Sequence, residues 1–367
     1  MSVNTAHGLL ARTARWGAAL VAAGTLLAAT AGTAQAAGPV SGTEAVITVG
    51  NRQATPTVSP DGTTAYVVTA DAKDNLVLAV VDTRSGAITG QLALGANRWT
   101  VYTALSADGS RLYVLNYLSL SIVDVPTLTL LGTTALPDQP RPADWRVGAP
   151  GGLALSPDGS TAYVSQFGPQ TAGRIAPGRV LAFAPAQRAF TASVPLPAAI
   201  PEDLAVRPDG RDLYIGSEAG VLHLDTSGGA PSVTRVVPGT ETTKDSHLTL
   251  SPNGHLFAVN GAGAGTGDEI DPATDTVTRR LTLTPGSASL LHPRVSPDGR
   301  RLYVVDNSME KGPSVITVDT ATGTVVPEEA LALNEESVDG MVLGPDGHTL
   351  YAGGRVVSMG YLQILNF

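Results

Sequence analysis

The chain has 367 residues, of which 43% are hydrophobic and 5% aromatic, with 41 Gly, 26 Pro and no Cys. That balance suits a compact, turn-rich all-β protein large enough to bury a core without a disulfide framework, and it leaves no site for lipoprotein attachment. With 32 Asp and Glu against 23 Lys and Arg, the net charge is −9, a surface that repels phosphate backbones, so nucleic acid is not expected as a general partner.

Residues 1–36 read as a signal peptide. Arg12 and Arg15 form a charged n-region, residues 16–29 a short apolar h-region, and Ala34-Gln35-Ala36 an A-x-A cleavage site. The apolar run falls short of the ~20 residues needed to span a bilayer. The expectation is export with cleavage after Ala36, leaving a secreted domain at 37–367 with no membrane anchor. Without Arg12 and Arg15 that domain carries 21 Lys and Arg against the same 32 acids, a net charge of −11.

From there the chain repeats. The stretch Leu155-Ser-Pro-Asp-Gly-Ser-Thr-Ala-Tyr-Val164 has versions at 58–67, 105–114, 206–215, 250–258, 295–304 and 343–352, so there are seven copies. Their glycines, Gly62, Gly109, Gly159, Gly210, Gly254, Gly299 and Gly347, stand 44 to 51 residues apart. A strand-rich repeat of roughly 40–50 residues points to a propeller or solenoid. Pro-Asp-Gly is a tight turn between antiparallel strands, and Ala107 and Asn253 are tolerable replacements within it. The aromatic that follows each turn (Tyr66, Tyr113, Tyr163, Tyr214, Phe257, Tyr303, Tyr351) reads as a packing residue.

A third strand in most units ends in an Asp-bearing turn, at Asp82, Asp124, Asp225, Asp271 and Asp319. Each stands alone, which favours backbone capping over calcium ligation. A fourth strand follows, and four short antiparallel strands make one blade. The last unit stops one strand short, while 44–50 supplies a strand with no unit of its own. Pairing the two is expected to close a seven-bladed β-propeller and remove two exposed strand edges.

The chain resembles the YVTN-type propeller repeat family in Tyr113-Val-Leu-Asn116, Tyr303-Val-Val-Asp306, Ile316-Thr-Val-Asp-Thr320 and Ile47-Thr-Val-Gly50, over essentially all of 37–367. The resemblance implies the fold and little about function, since the repeat is scaffold and members include exported proteins of unknown role. A more distant likeness to lactonase and cycloisomerase propellers is one of architecture alone.

Function is expected on the face carrying the longer loops. Two of these, 136–152 and 165–179, hold Asp138, Arg141, Asp144, Trp145, Arg146, Gln166 and Arg174, and Trp145, Arg146 and Arg174 are candidate ligand contacts. Counting back six residues from each turn Asp or Asn gives Thr55, Tyr102, Gly152, Asp203, His247, His292 and Gly340 at the mouth of the axial channel. Counting back four gives small or medium residues except Arg294. His247, His292 and Asp203 are thus candidate catalytic groups, with Arg294 and Tyr102 as ligand contacts.

Arg294 with a histidine acid or base suits a small anion; the two histidines with Asp203 would alternatively suit a metal; or the residues simply line a wet channel. No HExxH or Gly-x-Ser-x-Gly pattern raises the enzyme reading. The glycine run at 261–267 is flanked by strands and followed by no Gly-Lys-Ser or Gly-Lys-Thr, so it reads as a blade loop, and no cofactor or resident metal is expected. The overall expectation is a monomeric, secreted binding module for a small ligand, glycan or protein. The alternative is a lactonase- or isomerase-like enzyme acting on a small anion.

Overall fold

The computed structural model describes residues 45–98, 100–243, 245–284, 289–308 and 312–367. The signal peptide expected at 1–36 lies outside the described residues. What is described is a seven-bladed propeller built from antiparallel sheets.

The first two strands of each blade are joined by the turn that the repeat predicts. In the first blade, Asp61 Oδ1 accepts from the Thr63 N–H at 3.1 Å, Ser59 Oγ accepts from the Thr64 N–H at 3.0 Å, and Gly62 sits at φ +74°. That φ is open to glycine and strained for other residues. The prolines have a second task. Pro60 lies beside Gly109, Pro157 beside Gly210, Pro252 beside Gly299, Pro297 beside Gly347 and Pro345 beside Gly62, so the turn of one blade abuts that of the next. Asp82, Asp124, Asp225, Asp271 and Asp319 accept backbone N–H groups two or three residues on, the capping role expected of them.

The aromatic strands are buried on both sides because each blade is sandwiched between two others. Tyr66, Tyr113, Tyr163, Tyr214, Phe257, Tyr303 and Tyr351 are all at most 8% exposed. The core is correspondingly divided into inter-blade clusters: Tyr66 and Val68 pack on Leu112 and Val114, Tyr163 on Leu213 and Ile215, and Tyr303 on Met341 and Leu350. One such cluster joins Ile47, Tyr351 and Leu362 of the last blade to Val67 and Val81 of the first. Neighbouring inner strands touch in sequence, and the seventh touches the first.

Residues Ala45–Asn51 pair with Met359–Ile364 and complete the last blade, as expected. They do so as part of one 14-residue strand, Ala45–Val58, that continues into the first blade through Arg52 at φ +67° and a register shift between Asn51 and Thr55. The sixth blade also departs from expectation. Its outer strand is split into Thr324–Val325 and Leu331–Ala332 by a 3₁₀ turn at Pro327–Glu329, because Pro327 has no N–H to continue the ladder.

Candidate functional site

The inner strands converge on an axial cavity of about 600 Å³ whose lining includes Thr55, Tyr102, Asp203, His247, His292 and Arg294. Five of the eight candidate residues therefore meet in one place. Trp145, Arg146 and Arg174 are not in its wall.

Strict alternation along an inner strand does not fully describe the mouth, because several strands bulge there. Register shifts fall between Pro201 and Leu204, between Leu291 and Arg294, and between Val338 and Gly340. A bulge re-aims side chains. His292 sits in one at φ +49°, an uncommon backbone state for a residue with a Cβ. Asp339 sits in another and joins the cavity wall beside Gly340, a contribution that counting by twos misses. Glu202 occupies the bulge next to Asp203. On the third blade the wall is Gly151, where a Cβ would lie 2.1 Å from the Pro201 carbonyl oxygen.

Asp203 and Asp339 turn out to do the same job. Asp203 Oδ2 accepts the Leu248 N–H of the next blade at 3.0 Å, and Asp339 Oδ2 accepts the Ala54 N–H at 3.1 Å, stitching the last blade to the first. Asp203 Oδ1 accepts from the Leu204 N–H at 2.9 Å. His247 Nδ1 stands 3.9 Å from Asp203 Oδ2, near enough to feel its charge and too far for a hydrogen bond. Asp203 is thus a blade stitch as well as a member of the mouth.

The two imidazoles face each other with ring centroids 5.4 Å apart at 57°. Burial pushes both below the usual histidine range. His292 falls furthest, since His247 and the Arg294 charge add to desolvation and outweigh its hydrogen bond to the Val338 backbone. For His247 the Asp203 charge opposes the shift. Both rings are therefore neutral at pH 7. Burial raises Asp339 to about 6. It also raises Glu202 to about 7, helped by Asp245, Asp203 and Glu218. Tyr102 is pushed well above its ordinary value by burial, then by Glu202 and Asp203, and stays a neutral hydroxyl.

Arg294 is the cation of the cavity. Nη1 donates to the Pro293 carbonyl at 2.7 Å, and among the described residues no carboxylate forms an ion pair with it. Burial lowers its pKa while Asp203 opposes the shift, yet a guanidinium keeps its proton. The result is a charged fork aimed into a cavity whose histidines are neutral. Among the described residues no group of three or more His, Cys, Asp or Glu is disposed to hold a metal ion, so geometry offers the metal alternative no support.

The loops 136–152 and 165–179 form a pinned platform. Arg179, 6% exposed, donates from Nε to Gln166 Oε1 at 2.7 Å, and its Nη atoms donate to the Asp138 and Pro137 carbonyls. Gln139 receives the Gly148 N–H at 2.9 Å, and Arg146 pairs with Gln170 through both backbone hydrogen bonds. On the outside, the Arg174 guanidinium lies 5.8 Å from the Trp145 ring centroid. The one sequence signal for Arg179 as the anchor is a cation at the start of an otherwise apolar strand, Arg179–Ala184.

Among the described residues, the other histidines are structural or exposed. His223 lies between Asp212 and Asp275, His255 bonds Glu269, and His348 is exposed. The 261–267 run joins strands Leu256–Asn260 and Thr266–Asp271.

Set beside known proteins, the chain is similar to a seven-bladed beta-propeller protein of Mycobacterium tuberculosis, Rv1057, at 27% identity over 124 residues, which is 34% of this chain and 29% of that relative. Its fold resembles hydrazine synthase of Kuenenia stuttgartiensis, with a TM-score of 0.61 at 20% identity over 90% of this chain and 96% of the other. No protein-family model matches. These likenesses support the propeller fold, and the match spans less than a third of the curated relative's length.

Proposed function

We propose that this propeller is a binding module that takes a small organic anion into its axial cavity, with Arg294 as the anion clamp. The observation that carries this reading is the Arg294 guanidinium, half-buried at the cavity wall with a backbone carbonyl as its hydrogen-bond partner and, among the described residues, no ion-paired carboxylate. A cation so placed has already lost much of its hydration, and an incoming carboxylate can meet it through two parallel N–H···O bonds. The neutral His247 and His292 can donate or accept alongside without adding charge.

A second reading is acid–base chemistry on the same anion, in the manner of a lactonase or isomerase. It is favoured by His292, a neutral imidazole held at a positive φ beside the clamp. The loop platform at Trp145, Arg146 and Arg174 suits a larger glycan or protein partner on the outer face. The YVTN-type assignment, export after Ala36 and a monomeric state complete the reading.

The test is a thermal-shift comparison of wild type and Arg294→Gln against acetate, sugar acids, lactones and neutral glycans. A ligand at ~100 times its dissociation constant stabilises the native state by about 2.7 kcal/mol. Anions are expected to shift wild type and not the variant. Equal shifts in both proteins would remove Arg294 from the account, and turnover lost in His292→Ala would establish the second reading.

A further inference from the structure

The anion reading leaves open which anions fit, and the arrangement of charge and aliphatic wall around Arg294 narrows the answer. Beside the Tyr102 hydroxyl, which stays neutral, the ionisable groups in the cavity wall are Asp203, His247, His292, Arg294 and Asp339, one each from the fourth and fifth blades, two from the sixth and one from the seventh. One guanidinium therefore faces two carboxylates that are held in place by backbone N–H bonds to Leu248 and Ala54. It can neutralise one ligand charge. A second negative charge would enter a cavity that holds two acids and, among the described residues, no further cation, where desolvation makes repulsion expensive.

One step along the inner strands toward the turn face, the wall becomes apolar. Val58, Leu105, Val295 and Leu343 stand at equivalent positions on the first, second, sixth and seventh blades, with Pro297 and Pro345 beyond them. Arg294 is the residue immediately before Val295. Val58, Leu105, Val295 and Leu343 pack against the inter-blade clusters and present their remaining surface to the same cavity, so an acid whose carboxylate meets Arg294 has aliphatic wall within reach for the rest of the molecule.

We propose that the cavity selects amphipathic monocarboxylates, small acids with one negative charge and an apolar body, and rejects dianions such as dicarboxylates and phosphate. The proposal rests on the anion reading of Arg294 and adds charge number and body chemistry to it. Each methylene that moves from water to the aliphatic wall adds roughly fourfold to affinity, so hexanoate gains over acetate while keeping the same head group.

The experiment is calorimetric titration at pH 8, where phosphate is mainly a dianion, of the wild type with hexanoate, acetate, hexanamide, succinate and inorganic phosphate, repeated with Arg294→Gln. Hexanoate is expected to bind wild type at least tenfold more tightly than each of the other four, and to lose at least tenfold in Arg294→Gln. Succinate or phosphate matching hexanoate would overturn the charge-number claim, and acetate matching it would overturn the apolar-body claim; both results leave the anion reading standing. Hexanamide matching hexanoate, or no heat from any carboxylate, would bring down the anion reading itself. The ligand series on wild type decides the matter even if Arg294→Gln folds poorly.

Discussion

His223 sits where the fourth and fifth blades meet, and the consequence of replacing it with leucine can be worked from its contacts. Nδ1 lies 2.7 Å from Asp275 Oδ2 and Nε2 lies 3.0 Å from Asp212 Oδ1, while the ring stacks on Tyr214 at 4.8 Å. Asp275 reaches across from the fifth blade and also accepts the Tyr214 hydroxyl at 3.0 Å. Leucine fills most of the volume but leaves two carboxylates each short of one donor. Asp212 keeps Arg207 at 3.0 Å and is 20% exposed, so water repairs much of its loss. Asp275 is 6% exposed and keeps Tyr214 and a more distant Arg235 at 3.5 Å.

A buried acceptor deprived of a partner costs roughly 1–3 kcal/mol, and a charged one lies at the upper end. The expected destabilisation is therefore about 3 kcal/mol. With an unfolding entropy near 2.1 cal/mol/K per residue, a domain of this length loses roughly 4–5 °C in Tm for that change. Urea and thermal melts of wild type, His223→Leu, Asp275→Ala and the double variant give the answer. The double variant should be more stable than the two single changes predict by about 1–2 kcal/mol, because they share one interaction. A His223→Leu change within 0.5 kcal/mol of wild type, or strict additivity, would refute the reasoning.

Two further outcomes follow from the site and its platform. Glu202 has a folded pKa raised to about 7 by burial and by Asp245, Asp203 and Glu218, so the folded state binds its proton more tightly than the unfolded chain does. Stability is therefore lost as pH rises from the ordinary glutamate range through about 7. Glu202→Gln should be more stable than wild type at pH 8 in chemical melts, with the gap closing below pH 5; a gap that does not change with pH would contradict this. Arg179→Met removes the buried donors that hold the Pro137 and Asp138 carbonyls, and tryptic cleavage at Arg146 should accelerate at least tenfold. Unchanged cleavage would mean the platform is held by its other contacts.

The repeat made the fold legible because every unit carries the same turn and the same buried aromatic, and seven spaced copies of Pro-Asp-Gly or its variants leave few architectures. The terminal strand pairing was readable for the same reason. One local feature was not. The single strand Ala45–Val58 has to turn from the last blade into the first, and no residue pattern announces that Arg52 takes the left-handed conformation.

At the site, counting back from the turn found Tyr102, Asp203, His247, His292 and Arg294 because side-chain direction alternates along a strand. It missed Asp339 because bulges break the alternation, and bulges have no fixed sequence mark. The same count could not show that Asp203 spends its oxygens on Leu248 and Leu204 N–H groups, since hydrogen bonds between blades depend on how far apart the strands pack. Trp145, Arg146 and Arg174 lie on one loop pair, on a surface separate from the cavity wall.

The central claim is that Arg294 holds an anion inside the axial cavity. The most direct measurement is a crystal structure of the protein soaked with a brominated hexanoate, located by anomalous scattering. The account predicts a carboxylate within hydrogen-bond distance of the Arg294 guanidinium and bromine among Val58, Leu105, Val295 and Leu343. An empty cavity beside ligand bound on the Trp145–Arg174 platform, or ligand in the cavity with its carboxylate turned away from Arg294, would contradict it.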